Sequence, residues 1–217
     1  MLYIFPEPDS GNGGFMEDFT PGDIFVSIMT KNAPSAYAWI NGGTDYPDIS
    51  GIMRFYDTPF AGVVVDVEIY GLPDMADTAN MTDMGGNTNG NMSNNMNGNM
   101  SAKNSGKGNS NKAVSGGEAS NFYGMHIHEF GDCTPPFDKT GGHYNPYNTE
   151  HPEHAGDMPP LMSNNGYAWM SFFDGRFTIE EIIGKSVIIH HMRDNFTTQP
   201  SGDSGEKIAC GVIYAQK

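Results

Sequence analysis

The histidines of this chain are the residues whose type and spacing most clearly indicate chemistry. All seven lie between residues 126 and 191. His126 and His128 stand two positions apart, and a β-strand would therefore direct both imidazoles to one face. The other candidate ligands follow downstream: His143, His151, His154, Asp157 and His190.

Candidate ligands of this kind and number indicate a centre for two metal ions. Imidazole-rich sets suit copper or zinc, and three histidines with one aspartate fit tetrahedral zinc. Because one ion takes about four ligands, a two-metal site accounts for the set most economically. A lone His-x-His pair is more often a surface feature, but that simpler interpretation does not extend to so many histidines in one stretch of chain.

These ligands need a scaffold, and the flanking sequence predicts one made of β-strands. Residues 62–70 show the pattern most clearly, since Val or Ile occupies every second position from Val63 to Ile69. Many short strands separated by Gly, Pro and Asn indicate an all-β antiparallel sandwich or barrel. The predicted strands are 36–41, 51–56, 62–70, 122–130, 166–173, 177–183, 186–191 and 207–214, with 23–29 as one further candidate.

Residues 74–120 interrupt this pattern with a low-complexity segment rich in Asn, Gly and Met. The segment has no aromatic residue, no Leu or Ile and a single valine, Val114, so it cannot bury enough apolar surface to fold. We expect a disordered insertion within one domain, residues 35–217, and an N-terminal extension, residues 1–34, of unknown role. The methionine thioethers of the insertion could capture Cu(I) for the metal centre, although a neutral spacer is the simpler hypothesis.

The overall charge excludes several classes of partner. With 11 basic against 26 acidic residues the net charge is −15, which argues against a nucleic-acid binder and a polybasic membrane anchor. No apolar run is long enough to span a membrane, and the first residues lack the basic start of a signal peptide. A cytoplasmic location is therefore the default expectation, whereas a disulfide would suit an oxidising compartment.

Four segments around the candidate ligands resemble the signatures of copper/zinc superoxide dismutases. They are Gly-Met-His-Ile-His-Glu-Phe-Gly-Asp-Cys, Gly-Gly-His-Tyr-Asn-Pro, His-Ala-Gly-Asp and Ile-Ala-Cys-Gly-Val-Ile. The resemblance covers roughly residues 35–73 and 121–217, and it is specific in the second range. It implies an eight-stranded Greek-key β-sandwich or barrel, immunoglobulin-like in architecture, with long metal-binding loops.

The resemblance also implies a role for each candidate ligand. Copper would be bound by His126, His128 and His190, His143 would bridge copper and zinc, and zinc would be bound further by His151, His154 and Asp157. Asp194 would link a copper histidine to a zinc histidine. Cys133 and Cys210, which by themselves fit one disulfide or two buried thiols, would form the family disulfide. His191 matches no ligand and is interpreted as a surface or packing residue.

By the same resemblance, the activity would be the dismutation of superoxide. Copper would cycle between Cu(II) and Cu(I), and His143 would be the catalytic general acid that delivers a proton to the peroxide. Zinc would position His143 and tune its pKa. The arginine with which the family guides its substrate is replaced by Lys207, which keeps the positive charge but loses the planar fork. On so acidic a protein, attraction of the superoxide anion would then require local focusing around Lys207.

Two other functions are compatible with these residues. A copper-binding or copper-delivery protein could reuse the fold, although a non-catalytic relative would be expected to lose copper ligands, and all of them are present here. A slow dismutase that mainly buffers metal is the other hypothesis, motivated by Lys207 and the Met-rich insertion. The expected substrate is the superoxide anion, the family often forms homodimers, and neither nucleic acid nor a membrane is an expected partner.

Overall fold

The computed structural model describes residues 21–73 and 121–217, and both ranges are mainly β structure. The strands are β1 (Ala36–Gly42), β2 (Ser50–Asp57), β3 (Val63–Tyr70), β4 (Phe122–Tyr123), β5 (Met125–His128), β6 (Leu161–Met162), β7 (Ala168–Asp174), β8 (Ser186–His190) and β9 (Lys207–Ala215). The helices are α1 (Pro21–Lys31), α2 (Ile179–Ile182) and one 3-10 turn (Asp138–Thr140). None of the helices in these ranges is long and apolar enough to cross a membrane. The predictions for residues 1–20 and for the insertion 74–120 lie outside the described residues.

Seven strands form one antiparallel sheet in the order β5–β8–β9–β1–β2–β3–β7. β4 and β6 form a separate pair, and β6 also contacts β7. Because only Gly124 separates β4 from β5, these two segments act as one interrupted strand. The sheet therefore curls until β6 lies between its two ends, which gives the eight-stranded arrangement implied by the family resemblance. The prediction of an all-β Greek-key sandwich is confirmed.

The core lies inside the curled sheet and follows the alternation visible in the sequence. On β3, alternate residues from Val63 to Ile69 are buried, and each such side chain contributes about 1.5–3 kcal/mol to folding. The intervening Asp66 and Glu68 lie on the outer face, where Arg54 pairs with Asp66 at 2.8 Å. Apart from 177–183 and 23–29, the predicted strands are confirmed with small shifts at their ends.

Residues 177–183, predicted as a strand, contain the short helix α2 instead. Thr178 and Glu181 form a capping box in which the backbone N–H of Thr178 donates to the Glu181 carboxylate at 2.8 Å. Ile179 and Ile182, three positions apart, are both buried. The Thr-x-x-Glu spacing therefore indicates the helix in this segment, and the apolar residues do not indicate a strand.

Residues 23–29, also predicted as a strand, belong to α1. Pro21 occupies the first helical position, Asp23 lies in the first turn and Lys31 in the last, an arrangement that favours a helix. The helix covers the outer face of β2 and β3 through a small apolar cluster formed by Ile24, Phe25, Ile28, Met29, Tyr56 and Val64. This part of the N-terminal extension is thus packed against the β domain.

Candidate metal centre

The candidate ligands meet at the edge of β5 that faces away from β8. β5 pairs with β8 on one side only, and the backbone of residues 143–157 covers its other edge. The N–H of Ile127 donates to the carbonyl of Gly156 at 2.8 Å. A side chain at position 156 would block this approach, since a Cβ there would lie 2.3 Å from the Ile127 oxygen. This edge pairing places two sets of ligands opposite each other, His143 with His128 and Asp157 with His126.

The first group contains four buried histidines with converging ring nitrogens: His126, His128, His143 and His190. One nitrogen of each ring lies within 4.8 Å of the other three. His128 Nδ1 donates to the Gly141 carbonyl at 2.9 Å, and His190 Nδ1 donates to the Gly205 carbonyl at 3.1 Å. Because a carbonyl only accepts, both rings carry their proton on Nδ1 and present a lone pair at Nε2.

The arrangement of these lone pairs fits a bound cation. Nε2 of His128 and Nε2 of His190 lie 3.4 Å apart, and burial lowers the pKa of both imidazoles. Nδ1 of His126 and Nε2 of His143 are buried and have no hydrogen-bond partner among the described residues. Buried nitrogens without a partner are costly, and a metal ion with a preference for imidazole, such as copper, would satisfy all four. We call this set the copper group.

The second group contains His143, His151, His154 and Asp157, whose ligand atoms also lie within 4.8 Å of one another. Asp157 Oδ2 lies 3.0 Å from Nδ1 of His151 and 3.2 Å from Nδ1 of His154, yet neither nitrogen makes a hydrogen bond within residues 21–73 and 121–217. Lone pairs therefore face a carboxylate at close range, which fits a cation between them. Three histidines with one aspartate suit zinc, and we call this set the zinc group. Only two residues separate His151 from His154, and both side chains still converge on this group.

Asp194 joins the two groups from outside. His126 Nε2 donates to Asp194 Oδ2 at 2.8 Å, and His151 Nε2 donates to Asp194 Oδ1 at 2.9 Å. Both bonds leave Nδ1 of the histidine free to face its own group. The backbone N–H of Phe196 adds a third bond to Asp194 Oδ1 at 2.7 Å. Burial alone would raise the pKa of Asp194, but the bonds from His126, Phe196 and His151 hold it well below its ordinary value.

Two of the ligands, His126 and Asp157, have the ionisation states that metal binding requires. Burial lowers the pKa of His126 to about 4, so its imidazole is neutral at pH 7. Burial opposes ionisation of Asp157, but the bond from His143 and the neighbouring imidazoles bring the pKa of this carboxyl below its ordinary value. Metal ions bind neutral imidazoles and ionised carboxylates. His126 and Asp157 are therefore in the states that bind a metal ion.

The segment beside the copper group, residues 133–141, is fastened to β9 at two points. Cys133 and Cys210 form a disulfide with their Cα atoms 5.6 Å apart, which is the pairing implied by the family resemblance. Lys207, the first residue of β9, extends its ammonium to Thr140 Oγ1 at 2.8 Å. Both attachments hold the segment close to the histidines that it contacts.

An open cavity of about 350 Å³ lies beside Lys207. Its lining includes the acidic residues Asp45, Asp138 and Glu206. These three carboxylates oppose the local focusing of an anion that the sequence predicts around Lys207.

His191 belongs to neither metal group. Its ring lies 5.5 Å from the Tyr46 ring, and its Nδ1 lies 3.8 Å from the Glu206 carboxylate. Its interpretation as a packing residue agrees with these contacts.

Arg176 is a residue of the centre that the sequence patterns did not single out. Its guanidinium donates to the carbonyls of His154 and Asp157, two members of the zinc group. The buried carboxylate of Asp174 holds the same guanidinium, at 3.0 Å through Nε and 2.6 Å through Nη2. Arg176 lies outside the histidine motifs, and nothing in its own sequence context indicates this contact.

Comparison with known proteins places the chain in a family. Residues 96–213, more than half of the chain, match the family model described as copper/zinc superoxide dismutase. The chain belongs to the copper/zinc superoxide dismutase family. The copper and zinc groups described above suit the two metals after which this family is named, so copper and zinc are the cofactors.

Several superoxide dismutases are similar to this chain over less than half of its length. The Cu-Zn superoxide dismutase of Escherichia coli K12 is 38% identical over 120 residues, which are 47% of this chain and 67% of that protein. The second Cu-Zn superoxide dismutase of Aquifex aeolicus is 36% identical over 105 residues, 41% of this chain and 61% of that protein. The extracellular Cu-Zn superoxide dismutase of the mouse is 34% identical over 98 residues, 41% and 39% respectively. The chain thus spans about two fifths to two thirds of the length of these relatives.

One solved structure is similar to this superoxide dismutase family member over most of its length. The clock protein EA4 superposes with a TM-score of 0.55 and 21% sequence identity, covering 85% of this chain and 97% of that chain. At this level of identity the likeness concerns the fold alone.

Proposed function

We propose that this protein is a superoxide dismutase that converts two superoxide anions and two protons to dioxygen and hydrogen peroxide. The observation that carries the proposal is the presence of two complete ligand sets that share His143. When bound, copper would supply one-electron redox chemistry between Cu(II) and Cu(I), while zinc has no redox role. The chain itself contributes the ligands, their orientation and the handling of one proton.

His143 is the residue to which we assign that proton. Its Nε2 belongs to the copper group, is buried and has no hydrogen-bond partner in the part of the chain that the structure describes, whereas its Nδ1 lies 2.6 Å from Asp157 in the zinc group. A proton on Nε2 therefore has no acceptor in the described protein and is available to a reactant inside the site. His143 would take up a proton at Nε2 in the first half-reaction and release it to the departing peroxide in the second.

Asp194 and Lys207 support this chemistry in different ways. Asp194 keeps the rings of His126 and His151 oriented, so that a proton taken up by His143 does not disturb the rest of the centre. Lys207 supplies a positive charge beside the copper group, and this charge favours the approach of the superoxide anion. Neither residue needs to change its own protonation state.

A second candidate function is copper binding or delivery with little or no dismutase activity. The observation in its favour is the acidic lining of the cavity beside Lys207, formed by Asp45, Asp138 and Glu206. These carboxylates oppose the approach of an anion and would slow its reaction. A protein that mainly holds or transfers copper would not be affected by them.

Neighbouring histidines provide a matched test of the proposal. Full-length wild-type protein, His190→Ala and His191→Ala are loaded with copper and zinc, their metal content is measured, and the decay of superoxide is followed. Wild type and His191→Ala should consume superoxide at equal rates per bound copper, since His191 belongs to neither metal group. His190→Ala should lose the activity.

A wild-type protein with full copper and zinc that leaves superoxide at its spontaneous decay rate would contradict the proposal. Transfer of its copper to a competing chelator or thiol would then support the delivery function instead.

A further inference from the structure

The ammonium of Lys207 is fully occupied by the protein itself. It donates to Thr140 Oγ1 at 2.8 Å, to the Gly141 carbonyl at 3.1 Å and to the Phe137 carbonyl at 3.3 Å. A lysine ammonium carries three N–H donors, and three acceptors surround this one. An incoming anion therefore meets a charge but no N–H that is free to hold it.

One of these acceptors also orients a histidine of the copper group. The Gly141 carbonyl receives the Nδ1–H of His128 at 2.9 Å as well as the bond from Lys207. The orientation of this carbonyl fixes which nitrogen of His128 faces the copper group. Gly141 has a φ of +76°, in the left-handed region that favours glycine.

The remaining contacts of Lys207 stabilise the turn that carries Gly141. Thr140 Oγ1 both accepts from Lys207 and donates to the Phe137 carbonyl at 2.7 Å, and Phe137 is itself buried. Lys207 thus closes the 3-10 turn Asp138–Thr140 from outside. Loss of the ammonium would leave Thr140 Oγ1 without a donor, and it would leave the Gly141 carbonyl with the bond from His128 alone.

We propose that Lys207 is a positioning residue of the copper group, which holds the Gly141 carbonyl against His128, and that it does not dock the anion by hydrogen bonds. This inference rests on the proposed copper centre and changes only the role of Lys207 within it. The attraction between its charge and an anion is retained.

The decisive comparison uses Lys207→Met and Lys139→Met in the zinc-loaded full-length protein. Both variants lose one lysine charge from the same region, but Lys139 is an exposed residue whose ammonium lies 3.7 Å from Asp132 and does not contact the carbonyls near His128. Three quantities are measured: copper affinity by competition with a chelator, the Cu(II) electron paramagnetic resonance spectrum, and the affinity of the copper-loaded protein for azide as a probe anion.

Lys207→Met should lower copper affinity about tenfold or more and shift the Cu(II) spectrum before azide is added, as expected when an outer partner of a ligand is lost. Its azide affinity should change less than about threefold, and Lys139→Met should leave the copper affinity and the spectrum unchanged. Lys207→Arg, which keeps donors at this position, should restore the spectrum. Thr140→Val, which removes one acceptor but no charge, should shift it in the same direction as Lys207→Met.

Two results overturn the inference. One is an unchanged copper affinity and spectrum in Lys207→Met, and the other is a loss of azide affinity of tenfold or more in that variant. If Lys207→Met does not fold, Thr140→Val decides through the same spectrum. Failure of the wild-type protein to bind copper would instead contradict the proposed function, on which this inference depends.

Discussion

His143 Nδ1 lies 2.6 Å from Asp157 Oδ1, while the other nitrogen of the same ring belongs to the copper group and has no hydrogen-bond partner in the described ranges. His143 is the one residue that the two metal groups have in common among the described residues. The copper and zinc sites are therefore expected to respond together to a change at this residue, and separately to changes at the others.

Substitution of His143 should weaken both metals. His143→Ala should lower copper affinity and zinc affinity by more than the 10- to 100-fold that loss of an outer partner costs. His128→Ala should affect copper alone, and His154→Ala should affect zinc alone. Isothermal titration or chelator competition for each metal measures these effects. Equal losses of both metals in all three variants would contradict the division into two groups.

Arg176 should act on zinc and not on copper, because its guanidinium holds the carbonyls of His154 and Asp157. Arg176→Met should increase the rate of zinc release to a chelator about tenfold or more while leaving copper affinity within about threefold of wild type. Arg176→Lys, which keeps the charge but not the planar guanidinium, should release zinc at a rate between those of the wild type and Arg176→Met. Unchanged zinc release in Arg176→Met at a temperature where the variant is folded would show that these contacts do not position the zinc ligands.

Glu206 should slow the reaction with superoxide through its charge. Its carboxylate lines the cavity beside Lys207 and accepts a hydrogen bond from the Tyr46 hydroxyl at 2.8 Å. Removal of one charge about 10 Å from an approaching anion changes the energy by roughly 0.4 kcal/mol in water, so Glu206→Gln should react about twofold faster at low salt. The gain should disappear as ionic strength rises.

A matched control for this charge effect is Glu180→Gln, which removes the same charge on α2, outside the cavity. An equal acceleration in both variants would assign the effect to net charge and not to the position of Glu206.

Removal of the insertion should leave the domain intact. The Tyr123 hydroxyl donates to the Pro73 carbonyl, so the described residues on either side of the segment 74–120 lie close together. Replacement of this segment by a linker of about five Gly and Ser residues should therefore shift the melting temperature by only a few degrees, since loop closure depends weakly on length. Thermal unfolding measures this. Loss of cooperative unfolding would show that the segment contributes to the fold.

The same deletion variant tests the copper-capture hypothesis for the methionines of the segment. Copper occupancy at limiting copper should fall if they deliver Cu(I), and equal occupancy in both proteins would favour the spacer.

The strands and the ligand positions were predictable because both depend on local spacing. The alternation from Val63 to Ile69 identifies a strand with one buried face, and the His126–His128 pair identifies two rings on one face. The two helices were missed for different reasons. Thr178 and Glu181 carry a capping-box spacing that the alternation of apolar residues obscured. For α1 the local signals are Pro21 at the first position and the charges of Asp23 and Lys31, while its packing on Tyr56 and Val64 cannot be seen in the sequence.

The supports of the ligands could not be predicted, because they join segments distant in sequence through backbone carbonyls. Gly141 and Gly205 accept from His128 and His190 only in the folded conformation of their turns. Lys207 was predicted as the substitute for a substrate-guiding arginine, but its bonds to the turn that carries Gly141 depend on where residues 137–141 lie. The family resemblance indicates which residues stand at the site, and the structure indicates which groups each one contacts.

The central claim is most directly tested by a copper titration of the zinc-loaded full-length protein. Copper is added in steps from none to one equivalent, bound copper is measured at each step, and the rate of superoxide decay is recorded with excess copper removed. Superoxide dismutase activity that depends on the copper group predicts a rate that rises in proportion to bound copper and becomes constant at one equivalent. A rate that stays at spontaneous decay while the site fills with copper would contradict it.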